Sequence, residues 1–450
     1  MATKIPTEIL IKILKNVQSF RSTKDLYSSL LVNRIWCKVT IPILWELPLG
    51  QECHADDKEL RKKSLCIRTY ISYQDYNSNS NNNKNESRIL FREMCKLIIN
   101  RCSYLNYFKL ARVTKNFSKN FDNYSDSIGS ILKLPGAPKV FKKLETFISE
   151  ANDELYRPLY GLFTLICNNI LNMELKINSY SYDQVQLLAK LIIVQKRLEN
   201  LTIIDNRYTD CNLLFWAIIS QKEKLKSLRL KKLYYNRYME KLQPIGQFTS
   251  LQELYIENCY GLYNSDCLSL ASSFTQLSRF HYFHSSYSNK CPQRFIIKIL
   301  KTANINLRNI YLELYPAITF ETFSAILNYC TKIIKLTLLN LRPEQVIEIF
   351  NNNFNELRRF SFGCGKGLDA NKLLCQMAKN VPESLETIEI RMGIFSANSL
   401  RKFFEGWCCC KGGGENKKII VKRTVQTWLT LSDEHFKVIE EYGVQFNIEE

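Results

Sequence analysis

The chain has 450 residues, a formal net charge of +19 and 46% hydrophobic residues, an ordinary balance for a folded protein of about three globular domains or one repeat array. No apolar run approaches the roughly 18 residues that span a bilayer. MATKIPTEIL lacks the apolar core and small-residue cleavage site of a secretory signal, so the expectation is a soluble intracellular protein, cytoplasmic or nuclear. Sixteen cysteines, scattered singly as at Cys95, Cys167, Cys330 and Cys375, fit small buried hydrophobes in a reducing compartment. Basic residues are spread along the chain rather than gathered in one arm. The positive charge is therefore read first as a solvated surface and only second as a nucleic-acid footprint.

The first strong pattern runs from Ile5 to Trp45. Pro6 sits where a first helical turn tolerates proline, and Glu8 complements the positive end of the helix dipole. Leu10, Ile13, Leu14 and Val17 then form one apolar stripe. After a polar break, Ser22 and Asp25 mark a second helix start, and Leu26, Leu30, Leu31 and Ile35 supply its stripe. Trp36, Val39, Ile43, Leu44 and Trp45 continue the apolar supply past Pro42. About forty residues bury little core alone, so this unit is expected to cover its apolar residues with a neighbour or a partner.

The order of these residues resembles the F-box. Ile5-Pro6-Thr7-Glu8-Ile9-Leu10 matches the family's opening Leu-Pro-x-Glu-Ile/Leu, and Leu31-Val32-Asn33-Arg34-Ile35-Trp36 matches its closing Leu-Val-x-Arg-x-Trp. Ile41-Pro42-Ile43-Leu44-Trp45 is similar to the ending found in large fungal F-box families. Ile5 replaces the usual Leu, and the segment between the first two helices is longer than in the shortest members. The resemblance implies a three-helix domain over 1–48 that docks on a Skp-type adaptor and, through it, on a cullin–RING ubiquitin ligase. The carried-over adaptor contacts are Ile5, Pro6, Glu8, Ile9, Leu10, Ile13, Leu14, Leu31, Val32 and Trp36.

Residues 49–103 read as a connecting segment. Leu65 to Tyr73 alternates like a strand, 74–87 is a polar low-complexity loop, and Ile89, Leu90, Met94, Leu97 and Ile98 make a helical stripe.

From residue 104 a refrain sets in. Leu105-x-x-Phe108-x-Leu110, Leu144-x-x-Phe147 and Leu175-x-Ile177 lead to Leu198-x-x-Leu201-x-Ile203, Leu225-x-x-Leu228-x-Leu230 and Leu251-x-x-Leu254-x-Ile256. Leu277-x-x-Phe280-x-Tyr282, Leu307-x-x-Ile310-x-Leu312 and Ile333-x-x-Leu336-x-Leu338 follow, then Leu357-x-x-Phe360-x-Phe362 and Leu385-x-x-Ile388-x-Ile390. First positions from Leu198 onward recur about every 24 to 30 residues, the period of leucine-rich repeats. Cys259 takes the ninth position of its unit, and Asn206 that of another. This resembles the cysteine-containing repeats that accompany F-boxes.

Helical faces lie between the refrains: Val185, Leu188, Ala189 and Ile192; Phe295, Ile296, Ile299 and Leu300; Val346, Ile347 and Phe350 after Pro343; and Leu373, Leu374, Met377 and Ala378 after Asp369. The fold class expected is α/β, an F-box followed by a curved leucine-rich-repeat solenoid over 104–410, with strands on the concave face and helices on the convex face. A C-terminal cap over 411–450 contains a strand near Ile419 to Val421 and a helix carrying Phe436, Val438 and Ile439.

No catalytic constellation emerges, so the chain is expected not to be an enzyme. Gly363-Cys-Gly365-Lys-Gly367 lacks phosphate-loop spacing. His281 and His284 read as surface side chains, and Cys408-Cys409-Cys410 cannot face one metal from regular backbone. No metal or cofactor is expected. What remains is binding. Side chains between the buried strand positions face the other way, and that row includes Arg229, Lys231, Glu253, Tyr255, Glu257, Arg279, His281, Phe283, Tyr311, Glu313, Glu389 and Arg391. Aromatic and arginine side chains dominate protein interfaces. The substrate-binding candidates are Arg229, Lys231, Tyr255, Glu257, Arg279, His281, Phe283, Tyr311 and Glu313, with a protein substrate expected ahead of RNA or another polyanion.

Overall fold

The computed structural model describes residues 105–110, 134–149, 157–177, 182–205, 212–233, 248–260, 274–284, 293–315, 317–352, 354–364, 369–391, 395–408, 417–422 and 432–449, with Ile9, Ile13 and Ile99. Of the F-box-like contacts only Ile9 and Ile13 are therefore included; Ile5, Pro6, Glu8, Leu10, Leu14, Leu31, Val32 and Trp36 lie outside the described residues. The same holds for the expected strand at Leu65, the loop 74–87 and Asn206. The chain divides into two compact units, Met1–Glu199 and Asn200–Glu450, within the stretch read from sequence as one array.

Unit 1 alternates strand and helix: β1 (Tyr107–Leu110), α1 (Ala137–Phe141), β2 (Thr146–Ser149), α2 (Arg157–Ile166), β3 (Asn172–Ile177) and α3 (Tyr182–Ile193). The strands are parallel neighbours in chain order, as strands joined by helical crossovers must be. Alternation buries Phe147, Met173, Leu175 and Ile177 against the helices. Phe108, Phe141, Phe147 and Phe163 fill the core with ring centroids 5.2–6.3 Å apart. Gln195 is buried yet satisfied. Its Oε1 accepts from the Ile170 N–H at 3.0 Å, and its Nε2 donates to the Cys167 and Leu191 carbonyls, each at 2.8 Å.

Unit 2 repeats the device through β4 (Asn200–Asp205), α4 (Asn212–Ser220), β5 (Ser227–Lys231), β6 (Glu253–Glu257), β7 (Arg279–His284), α5 (Gln293–Ala303), β8 (Asn309–Leu314), α6 (Phe320–Tyr329) and β9 (Lys335–Leu341). It continues with α7 (Pro343–Asn351), β10 (Arg359–Cys364), α8 (Ala370–Met377), β11 (Thr387–Arg391), α9 (Ala397–Cys408), β12 (Lys418–Lys422), α10 (Asp433–Glu441) and β13 (Gln445–Glu449). Each strand pairs in parallel with the next. The refrain becomes stacked ladders: Leu228, Leu254, Phe280, Ile310, Leu336, Phe360 and Ile388 are in register and buried. The first residue of each unit, such as Leu225, Leu251, Leu277 and Leu307, is fully buried just before its strand. This is a solenoid-like repeat fold.

The repeat is also visible in backbone conformation. Lys232, Asn258 and Asn340 have φ of 58°, 51° and 63°, each one residue past the same register position, where the backbone breaks from extended conformation; at Asn340 the strand resumes with Leu341. Asn tolerates that region because its amide bonds locally; Asn340 Nδ2 donates to the Leu314 carbonyl of the preceding unit at 3.0 Å. Cys259 links repeats in the same way, its thiol donating to the Leu230 carbonyl at 3.4 Å.

Pro343 and Asp369 open α7 and α8, the Asp369 carboxylate accepting from Asn371 and Lys372 N–H groups. On α7, Val346 and Phe350 face inward as expected, joined by Ile349, while Ile347 lies at the edge of that face and is half-buried. The parallel register runs on through β12 and β13, so the segment read as a cap continues the strand–helix alternation. On α10, Val438 and Ile439 are buried and Phe436 is exposed. On α9, Gly406 lies so close to α8 that a Cβ would land on the Ala378 carbonyl. Among the described residues no helix is long and apolar enough to cross a membrane.

Candidate functional site

The candidate site is the face of β5–β11 turned away from the buried ladders. Strand alternation and register place its side chains in three rows. The middle row reads Arg229, Tyr255, His281, Tyr311, Thr337, Ser361 and Glu389 from β5 to β11. Toward the strand starts lie Ser227, Glu253, Arg279, Asn309, Lys335, Arg359 and Thr387; toward the ends lie Lys231, Glu257, Phe283, Glu313, Leu339, Gly363 and Arg391.

On β5–β8 the middle row is a stack. Neighbouring strands lie about 4.8 Å apart, close to the thickness of flat groups in contact. The Arg229 guanidinium sits 4.3 Å over the Tyr255 ring, Tyr255 lies 5.5 Å from His281, and His281 stacks on Tyr311 at 4.0 Å with 10° between planes. The flat faces are thus largely occupied by one another, leaving ring edges and polar tips for a partner. Burial pulls the His281 imidazole down to about 4, with Lys231 and Arg229 adding to the effect and Glu257 opposing it. It is neutral at pH 7. The Tyr311 hydroxyl donates to Glu313 Oε2 at 2.6 Å; burial first, and this carboxylate next, raise the phenol.

The charged rows on the same four strands are closed in pairs. Lys231 contacts Glu257 at 2.6 Å, and Arg279 contacts Glu253 at 2.5 Å, with Ser227 Oγ also donating to Glu253 at 3.2 Å. Lys231 and Arg279, read from sequence as outward anchors, are therefore already partnered across the strands. Phe283 is half-buried between Glu257 and Glu313 in its row.

On β9–β11 the same face is different. Thr337, Ser361 and Glu389 occupy outward positions yet are only 3%, 1% and 4% exposed. Glu389, expected on an open face, is held by Arg391, whose Nε–H donates to Oε1 at 2.9 Å, while Arg359 approaches Oε2 at 3.7 Å. Arg391 also acts on the Tyr311 phenol, holding it down against burial and Glu313. Arg359 and Ser361 were not singled out from the sequence. The refrain Leu357-x-x-Phe360-x-Phe362 does place them outward, but nothing in it marks them as distinct.

His284 is buried, not at the surface; it lies edge-on to Tyr260 at 5.5 Å, and burial holds its imidazole below the ordinary value. Burial pushes the Cys167, Cys259 and Cys330 thiols up to about 12, which keeps them protonated and unreactive. Among the described residues no group of three or more His, Cys, Asp or Glu could hold a metal ion. At the other end of the chain, Ile9 and Ile13 lie one helical turn apart and are 47% and 40% exposed.

No protein-family model and no curated protein matches the chain. Among solved structures it is similar to one of a Rad7 and Elc1 complex in yeast, at 13% identity over 81% of this chain and 88% of that one, with a TM-score of 0.38. A likeness at that level assigns no role to any residue.

Proposed function

We propose that the chain is a non-catalytic substrate receptor of an SCF-type cullin–RING ubiquitin ligase. The F-box-like N-terminus would bind a Skp-type adaptor, and the outer face of the repeat sheet would hold a protein substrate. The residue order of Ile5–Leu10 and Leu31–Trp36 supports the first half. Exposed Ile9 and Ile13 at helical spacing support it too, as apolar side chains available to a partner. The mechanism is proximity: a receptor raises the effective concentration of substrate at the ubiquitin-carrying enzyme and supplies no reacting group.

The observation that carries the second half is the Arg229–Tyr255–His281–Tyr311 stack flanked by closed ion pairs. A single-stranded nucleic acid needs open aromatic faces and free cations, and here both are largely taken up internally. A folded or extended protein segment needs shape, edges and hydrogen-bonding tips, which this face offers. The alternative, a basic scaffold for RNA, is the weaker reading on that ground.

The test addresses the adaptor. Interface hot spots cost about 2 kcal/mol or more each when truncated, so Pro6→Ala with Leu10→Ala should abolish adaptor co-purification. Thermal unfolding of the repeats should be unchanged. Undiminished capture by the folded double variant refutes the assignment.

A further inference from the structure

We infer that the outer face at β6–β8 binds a basic segment of a partner protein, one lysine or arginine side chain of which lies over Phe283 between Glu257 and Glu313. Calling that partner a substrate rests on the receptor reading above; the binding surface itself does not.

The first observation is an aromatic ring left out of the stack. Of the outward aromatic side chains on β5–β8, Tyr255, His281 and Tyr311 each touch a neighbouring ring or guanidinium. Phe283 makes no ring or cation contact among the described residues, although it stands on the same strand and face as His281. It is half-buried, with part of its surface outward. The face of such a ring attracts a lysine or arginine placed over it.

The second observation is what flanks that ring. Register sets Glu257 opposite Phe283 on one side and Glu313 on the other. Neighbouring strands lie about 4.8 Å apart, so a cation over Phe283 stands about one such spacing from each carboxylate position. Both glutamates are partly exposed, so the place is open to solvent. His281, two residues back, is neutral at pH 7 and adds no opposing charge. Beyond Glu313 the row continues with the apolar Leu339.

The third observation is a carboxylate without a cation. Glu253 is paired with Arg279, and Glu257 with Lys231. Glu313 makes no ion pair among the described residues; it accepts only the Tyr311 hydroxyl, through Oε2 at 2.6 Å. Arg391 acts on that hydroxyl, but its own ion pair is with Glu389. The hydroxyl fixes the Glu313 side chain and leaves Oε1 for an incoming donor, whose bond would be charge-assisted. Arg229 does not compete. It sits on Tyr255, and β5 is three strand spacings from β8, about 14 Å, farther than the roughly 8 Å over which salt screens charges.

Charge also sets the kind of partner. The chain as a whole carries +19 and repels a basic segment at long range, so capture of one reports a local site. A phosphate backbone laid over Phe283 would instead meet a carboxylate on either side.

The experiment uses the full chain with four fluorescent probes: a twelve-residue peptide of lysine and arginine spaced by serine and glycine, its glutamine counterpart, its aspartate and glutamate counterpart, and a poly-uridine oligonucleotide. Affinity is read by anisotropy at about 0.15 M salt, on variants whose thermal unfolding matches the native chain. The basic peptide should bind best. Glu313→Gln, which keeps the side chain's shape and its acceptor for Tyr311, should weaken it by about fivefold or more. Phe283→Leu, which keeps apolar volume and loses the ring, should weaken it by about threefold or more. Glu348→Gln, an equal charge loss at an exposed position of α7, should leave it unchanged. Equal weakening by Glu313→Gln and Glu348→Gln, undiminished binding by Phe283→Leu, tighter binding of the acidic peptide or the oligonucleotide, or no binding of the basic peptide overturns the proposal. Adaptor capture from the same preparation is scored separately. Capture without peptide binding removes only this surface; peptide binding without capture removes only the receptor reading.

Discussion

Two halves of one sheet face, β5–β8 and β9–β11, share backbone, register and strand alternation but differ in what they leave exposed. In the first, large flat side chains stand in register and use one another as neighbours, so Tyr255, His281 and Tyr311 stay half-exposed with their edges outward. In the second, the same positions hold Thr337, Ser361 and Glu389, which are 3%, 1% and 4% exposed. Outward direction is set by the strand; accessibility is decided by what packs over it. The ion pairs follow suit. Lys231–Glu257 is solvated, with side chains 37% and 30% exposed, whereas Glu389 at 5% depends on Arg391 for its charge to be tolerated.

That contrast predicts its own largest effect. Arg391→Met should cost about 3 kcal/mol, because it removes the closest cation from a buried carboxylate. Lys231→Met should cost less than about 1 kcal/mol, as exposed pairs do. Urea unfolding of both variants measures the gap. Equal losses would mean that the two halves are electrostatically alike.

A comparable effect separates the two faces of one strand. Leu254→Ala should cost about 3 kcal/mol from lost burial and the cavity left behind. Tyr255→Ala, on the adjacent outward position, should cost about 1 kcal/mol, from its arginine and histidine contacts. Thermal unfolding of the two decides it, and a larger loss at Tyr255 would contradict the register.

The smallest effect is a pH dependence within the stack. His281 has its folded-state value lowered from 6.5 to about 4, so the neutral ring is the form the fold favours. The stability it contributes is complete above about pH 6.5 and is lost as pH falls through that window toward 4. The melting-temperature difference between the native chain and His281→Gln should therefore shrink from pH 7 to pH 4. A difference that widens on acidification would show that the imidazole is stabilised as a cation.

Much of this was legible in the residues themselves. The spacing Leu-x-x-Leu-x-Leu, recurring near Leu225, Leu251, Leu277 and Leu307, specifies strands with one buried face, since only a period of two puts those side chains on one side. Asp369 announced a helix start, and Cys259 marked the ninth repeat position, which the structure buries. Ile347 was placed inward although it sits at the edge of its helix face, because helical spacing leaves the angle of approach open, and tertiary contact chooses it. His284 was misjudged because a polar side chain at a strand end is exposed or buried according to what packs over it, and Tyr260 does.

The sequence by itself determined the alternation of strand and helix, the parallel stacking of repeats and the identity of the outward positions, all consequences of local periodicity and of apolar area seeking cover. Only the tertiary structure decided which outward residues are free to meet a partner. Register brought Lys231 to Glu257 and Arg279 to Glu253, whereas Arg391 and Glu389 meet along a single strand. Residues two in sequence apart can pair by their own conformation, but residues 26 apart meet only when neighbouring strands align, and charge compensation on this sheet is mostly of that second kind.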